Sequence, residues 1–139
     1  MRSYLPITIL TLSCFAAGCS KDAEVNAFIK EFDGTTKEMI EKINADPSAS
    51  GVDAAQKAFD ARKLQLTAKW NEIKGAVGFQ VSKDTRKKLE QSVTNNMRAL
   101  TEASIKHMVK MAADKDASAK FKQLLKDYSD TFTMEAKQS

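Results

Sequence analysis

The sequence predicts an all-α protein, built as an antiparallel bundle of four helices. Apolar residues recur at steps of three and four along four segments of the chain, and no segment alternates with the period of two that indicates a half-buried strand. Short connections join these segments, which places successive helices side by side and antiparallel. Beyond residue 18, 121 of the 139 residues remain, which suits one compact domain.

The first predicted helix covers about residues 21–46. Its apolar residues form a single stripe, which consists of Val25, Phe28, Ile29, Phe32, Met39, Ile40 and Ile43. Gly34 interrupts the helical composition, and Thr35 followed by Glu38 has the pattern of a capping box that would open a new helix. We predict one continuous helix because the stripe crosses Gly34 without a change of register.

The second predicted helix follows a polar loop at residues 46–51, where Pro47 disfavours helical geometry at Asp46. We expect Ser50 to be its N-cap and Gly75 to end it in a left-handed conformation. The apolar stripe of this helix consists of Val52, Ala55, Phe59, Leu66, Trp70, Ile73 and Val77.

The connection at residues 76–81 is unusually apolar for a loop, since it contains Val77, Phe79 and Val81. Such residues most often cover the end of a core. The alternative interpretation is an exposed patch that faces a partner.

The third predicted helix begins at Ser82 as its N-cap. Its main stripe consists of Leu89, Val93, Met97, Leu100, Ser104, Met108 and Met111. A second stripe in its C-terminal half consists of Ile105, Val109 and Ala112. Because a helix that is apolar on two sides usually lies between two neighbours, we predict that this half occupies the centre of the bundle.

The fourth predicted helix follows the polar cluster at residues 114–116, where Asp116 is the expected N-cap. Its stripe consists of Phe121, Leu124, Leu125, Tyr128 and Phe132. Neither glycine nor proline separates it from the third helix. One long helix over residues 83–136, and therefore a bundle of three helices, is the alternative.

The beginning of the chain has the layout of a secretory signal peptide. Arg2 is the only charged residue before Lys21, and residues 4–18 are mostly apolar and end in small residues. A membrane-spanning helix needs about 20 apolar residues, so this segment is short for permanent spanning, and Pro6 weakens it further as a helix.

The end of this segment, Ala16-Ala17-Gly18-Cys19, resembles the lipobox of bacterial lipoproteins, with Ala16 where leucine is preferred. The resemblance implies a diacylglyceryl group on the Cys19 thiol, cleavage before Cys19, and acylation of the new amino group. Ser20 after the cysteine is similar to a signal for sorting to the outer membrane. Ordinary secretory cleavage after Gly18, which leaves Cys19 unmodified, is the alternative.

These features divide the chain into a signal peptide at residues 1–18, a lipidated N-terminus at residues 19–20 and a single helical domain at residues 21–139. The membrane is then a partner through the covalent lipid, since two or three acyl chains make attachment effectively permanent. Without Arg2 the net charge falls from +4 to +3. This is far from the dense basic surface of a nucleic-acid-binding domain, so we expect no nucleic-acid partner.

The sequence offers no catalytic constellation, and we predict no enzyme and no catalytic residue. It lacks the nucleophile elbow and the phosphate-binding loops. His107 is the only histidine, whereas metal sites in helical bundles use several histidine, cysteine or Glu-x-x-His ligands. We therefore expect no metal and no haem, although His107 with Met39 or Met134 is the conceivable axial pair.

We expect a non-enzymatic binding module on the cell envelope, whose partner is an unidentified envelope protein. The alternative is a carrier of haem or of another small apolar ligand within the bundle. The candidate partner contacts are Phe79, Val81, Arg86, Lys87 and Lys88.

Overall fold

The computed structural model describes residues 20–132, which form five α-helices packed against one another and no strand. The predicted all-α fold class is confirmed. The predicted signal peptide, Cys19 and Met134 lie outside the described residues. The helices are α1 (Asp22–Ala45), α2 (Ala49–Lys74), α3 (Lys83–Lys106), α4 (Met108–Ala113) and α5 (Lys115–Thr131).

Successive long helices run in opposite directions, so α1 is parallel to α3, and α2 is parallel to α5. The helix α1 packs against both α2 and α3, and α5 packs chiefly against α2. The bundle therefore has two ends. The proximal end contains residues 20–22, 74–83 and 130–132, and the distal end contains residues 45–49 and 106–115. The first described residue, Ser20, belongs to the proximal end.

Aromatic rings fill the core between α1, α2 and α5. The rings of Phe32 and Phe132 lie 4.5 Å apart between centroids, and Phe28 is 5.4 Å from Trp70. Such pairs contribute about 0.5–1.5 kcal/mol beyond the burial of their area. The members of this aromatic cluster are Phe28, Phe32, Phe59, Trp70, Tyr128 and Phe132.

One hydrogen-bonded chain crosses the core between α1 and α5. The hydroxyl of Thr36 donates to the carbonyl oxygen of Phe32 at 3.0 Å, and the Tyr128 hydroxyl lies 2.6 Å from the same Thr36 oxygen. Because Thr36 has only one hydroxyl hydrogen, Tyr128 is the donor of the second bond. Burial raises the pKa of Tyr128 above its ordinary value, so the phenol remains neutral and able to donate.

Gly34 does not interrupt α1, which confirms one continuous first helix. The third and fourth predicted helices are separate, which confirms the break near residue 114. The extra helix, α4, arises because the predicted third helix is interrupted at His107, whose φ of −106° and ψ of 10° leave helical geometry.

Ser82 caps α3 as predicted, since its hydroxyl oxygen accepts a hydrogen bond from the Thr85 amide at 3.2 Å. Two other cap predictions were wrong by two residues. Ser48 rather than Ser50 caps α2, and Asp114 rather than Asp116 caps α5. In both places the earlier residue has the extended backbone that lets its side chain reach forward to the first free amides.

The predicted left-handed conformation of Gly75 was also wrong. Gly75 has φ −73° and ψ −22°, and the following turns continue in right-handed geometry. Hydrogen bonds from the amides of Val77 and Gln80 to the carbonyl oxygens of Ile73 and Ala76 hold these turns, so no left-handed residue is needed.

The central position predicted for the C-terminal half of the third helix was wrong as well. Of its second stripe, Ile105 is 63% exposed and Val109 is 82% exposed, and Ala112 is also exposed. This stripe stays exposed because α5, the helix that would have to cover it, packs chiefly against α2.

Candidate functional site

The start of α1 is fastened to the connection between α2 and α3. The amide of Lys21 donates to the carbonyl oxygen of Gln80 at 2.9 Å, and the amide of Ser82 donates to a carboxylate oxygen of Asp22 at 2.8 Å. The bond from the Ser82 backbone is the main reason that the pKa of Asp22 lies below its ordinary value. These two bonds fix the residues that immediately follow Cys19 in the sequence.

The apolar connection at residues 76–81 divides its side chains between core and solvent. Ala76 is buried, and Val77 and Val81 are half-buried and pack against the core. Phe79 instead points outward, with 76% of its surface exposed. Val77 and Val81 therefore cover the end of the core, as expected for this connection. Phe79 is instead a large apolar side chain exposed to water at the proximal end.

Basic residues flank Phe79 in the sequence and lie either at the proximal end or in the first two turns of α3. We call Phe79 together with these bases the proximal surface; the bases are Lys74, Lys83, Arg86, Lys87 and Lys88. Arg86 is half-buried and the four lysines are exposed. None of the five bases forms a salt bridge within residues 20–132. Four of the five candidate contact residues therefore belong to the proximal surface: Phe79, Arg86, Lys87 and Lys88. The fifth, Val81, is half-buried and packs against the core.

A second exposed surface lies at the distal end, where sequence reasoning expected core. Ile105, Met108 and Val109 are exposed, and Met108 and Val109 lie three and four residues after Ile105. Lys106 and Lys110 border them. We call the three apolar residues the distal patch. The sequence contained the signal for this patch, since Ile105 and Val109 belong to the second stripe and Met108 to the main stripe, but both stripes were assigned to the core.

His107 lies beside the distal patch and joins α1 to the junction of α3 and α4. Its Nε2 atom is 2.8 Å from the side-chain oxygen of Asn44, so this nitrogen carries the hydrogen. Met39, the other described member of the conceivable haem pair, is fully buried in the core. It precedes Asn44 in α1 by about 7.5 Å along the helix axis. Within the described residues, no three histidine, cysteine, aspartate or glutamate side chains are placed to hold a metal ion.

One open groove lies on the surface of α1. Its lining residues come from this one helix: Gly34, Lys37, Glu38, Glu41, Lys42 and Ala45. A small apolar ligand needs mostly apolar walls on several sides. The charged lining of this groove does not provide them.

No family model, curated protein or solved structure matches this chain. Among the helices that the structure describes, none combines the length and the apolar character needed to cross a membrane. The features of this chain that bear on its function are the lipobox-like leader, the proximal surface and the distal patch.

Proposed function

We propose that this chain is a lipid-anchored protein of the bacterial cell envelope that acts by binding another protein. The leader and Cys19 support the anchor. The observation that supports binding is the distal patch, where Ile105, Met108 and Val109 are 63%, 60% and 82% exposed. This patch lies at the end of the bundle opposite to Ser20, the first residue after Cys19.

The distal patch is a favourable place for a protein contact because its apolar area is still in water. Complete burial of a side chain of this size contributes about 1.5–3 kcal/mol. Three such side chains at helical spacing on α3 and α4 form a compact cluster, which is the usual centre of a protein interface. Their positions on helices also mean that little conformational entropy is lost when they are covered.

The charges around the patch indicate the chemistry of the partner. Lys106 and Lys110 border the patch, and Glu102 is the one acid between residues 101 and 113. A second copy of the chain would bring the same lysines together across a two-fold contact. We therefore propose a different protein, with an apolar surface bordered by carboxylates.

The binding role is tested by placing a photocrosslinking amino acid at Val109 in cells, with Leu64 as the matched control. Leu64 is 87% exposed, and it lies in the middle of α2, away from both ends. We expect one discrete adduct from position 109 that is absent from position 64 and that disappears with Ile105→Asp. Adducts of equal yield at both positions would contradict the proposal, and an adduct of twice the chain's mass would show a second copy instead.

The anchor is tested separately by Cys19→Ser, with Cys14→Ser as its control. Both changes remove a thiol from the chain, but only Cys19 occupies the lipidation position of the lipobox-like segment. We expect Cys19→Ser to move the protein out of the membrane fraction and Cys14→Ser to leave it there. Retention of the Cys19→Ser protein in membranes would contradict lipid anchoring.

A further inference from the structure

We propose that the proximal surface lies directly on the bilayer, with Phe79 inserted at the boundary between headgroups and acyl chains and its neighbouring lysines on anionic phospholipid headgroups. This inference rests on the proposed lipid at Cys19. It adds a second, noncovalent membrane contact, which determines the orientation of the domain.

The first argument is the short reach between the lipid and the bundle. Cys19 is two residues from Lys21, so their Cα atoms are at most about 7 Å apart. The amide of Lys21 is in turn bonded to Gln80, and the amide of Ser82 is bonded to Asp22. A lipid on Cys19 therefore brings the connection between α2 and α3 to the membrane surface, with no slack that would let the bundle move away.

The second argument is the position of Phe79 next to Gln80. The ring is largely exposed, and its neighbours Gly78 and Gln80 are exposed too. Apolar and aromatic side chains on a surface that touches a membrane enter the boundary between headgroups and acyl chains to a depth of about 5–10 Å. In this location the membrane covers the ring of Phe79. Within residues 20–132, no other part of the chain shields it from water.

The third argument is charge. Residues 72–88 contain five bases against two acids, Glu72 and Asp84. From Lys83 to Lys88 the helix rises about 7.5 Å, which is within the Debye length of about 8 Å at physiological ionic strength. The bases from Lys83 to Lys88 therefore act on the same membrane surface, and anionic lipid attracts them.

The acids nearest to this stretch on α1 do not outnumber its five bases. Glu24 forms a salt bridge with Lys21, whereas Asp22 accepts a hydrogen bond from the Ser82 backbone and keeps its single negative charge. The bases at the start of α3 have no such partner within the described residues. Anionic headgroups provide one.

The contact is tested with the lipidated protein in vesicles that contain phosphatidylglycerol and phosphatidylcholine with brominated acyl chains, which quench tryptophan at close range. The variant is Phe79→Trp and the matched control is Leu64→Trp. The native Trp70 is buried and gives the same background in both. We expect the introduced fluorescence to fall by about half at position 79, because a depth of 5–10 Å brings the ring to the acyl chains, and not at position 64.

The outcomes separate this inference from the proposed anchor. Protein that fails to float with the vesicles contradicts the anchor itself. Protein that floats but is not quenched at position 79 overturns the inference while the anchor stands. Equal quenching at both positions also overturns it, because the bundle would then lie on its side.

The role of the charges is tested by Lys83→Glu with Lys87→Glu, compared with Lys106→Glu and Lys110→Glu at the distal end. Both pairs change the net charge by the same amount, and Lys83 and Lys87 lie near the start of α3, where acids suit the helix dipole. We expect only the proximal pair to reduce the quenching of Phe79→Trp, by several-fold. An equal effect from both pairs, or quenching that is the same in vesicles without phosphatidylglycerol, would overturn the headgroup contact.

Discussion

Thr36 and Tyr128 show how the value of a hydrogen bond depends on which partner is removed. Tyr128→Phe takes away a donor, and the Thr36 hydroxyl keeps its acceptor, the carbonyl oxygen of Phe32. Thr36→Val leaves the buried Tyr128 hydroxyl without any partner. We expect Tyr128→Phe to lower the free energy of unfolding by about 1 kcal/mol and Thr36→Val by about 1–3 kcal/mol. Urea unfolding of the two variants measures the difference, and the opposite order would contradict this assignment of donor and acceptor.

The charged side chain of Asp114 connects two helices at the distal end. Its carboxylate accepts hydrogen bonds from the amides of Ala117 and Asp116 in α5 and from the amide of Ala49 in α2. These bonds, led by the one from Ala117, hold the pKa of Asp114 below its ordinary value of 3.8. The ionised side chain therefore links the beginnings of two helices.

Asp114→Ala should destabilise the protein in a way that depends on pH. Because the pKa is lowered in the folded state, the stabilisation is fully present above pH 3.8 and is lost as the pH falls through the folded value. We expect a clear loss of stability at pH 7 and a smaller difference from the parent at pH 3. Asp60→Ala is a suitable control, since Asp60 is exposed and caps no helix. A deficit that does not change with pH would show that the charge of Asp114 is irrelevant.

At the scale of the helix, two helical glycines, one exposed and one buried, should respond in opposite ways to the same change. A methyl group at Gly34 meets no atom within 4 Å, whereas at Gly51 it would collide with the backbone carbonyl oxygen of Asp46. Gly34→Ala should stabilise the protein by roughly 0.5–1 kcal/mol, because alanine is the better helix former. Gly51→Ala should destabilise it by about 1–3 kcal/mol through overpacking.

Thermal unfolding of the two glycine variants measures both effects. A destabilising Gly34→Ala would mean that α1 needs a flexible point at this position. A neutral Gly51→Ala would mean that the loop before α2 moves aside without cost.

The apolar pattern of the sequence was sufficient to predict the existence and type of the long helices. The stripe that crosses Gly34 predicted one helix, and the polar residues at 114–116 predicted a break, because both signals are local. The caps were missed by two residues because each loop offers more than one oxygen at suitable spacing, as at Ser48 and Ser50. The loop backbone decides between them, and composition does not reveal it.

The distal patch was missed for a different reason. An apolar stripe shows that a face avoids water, but it does not show which element covers that face. The second stripe at Ile105 and Val109 would be core if α5 packed against it, but α5 packs chiefly against α2. That choice depends on contacts between residues far apart in sequence.

The proximal surface was partly predicted, since Phe79 and Arg86 to Lys88 were named. Its proximity to the start of α1 was not, because it depends on the bond between the Lys21 amide and the Gln80 carbonyl oxygen.

For the molecule as a whole, the residues that hold it together are distinct from those that it exposes at its ends. Phe79→Asp and Val109→Asp should each change stability by less than about 0.5 kcal/mol, as exposed sites do. Phe59→Ala, in the fully buried core, should cost about 3–5 kcal/mol. Chemical unfolding measures all three. If Phe79→Asp cost as much as Phe59→Ala, the connection between α2 and α3 would be part of the core rather than a contact surface.

The fastening of Lys21 to Gln80 has a consequence for distance. With two residues between Cys19 and α1, the height of the distal patch above the membrane is set by the helices rather than by a flexible linker. The 24 residues of α3 span about 36 Å. If the proposed anchor and the proposed partner contact both hold, the protein is a rigid spacer of fixed length, and a partner has to project far enough from the bilayer to reach the distal patch.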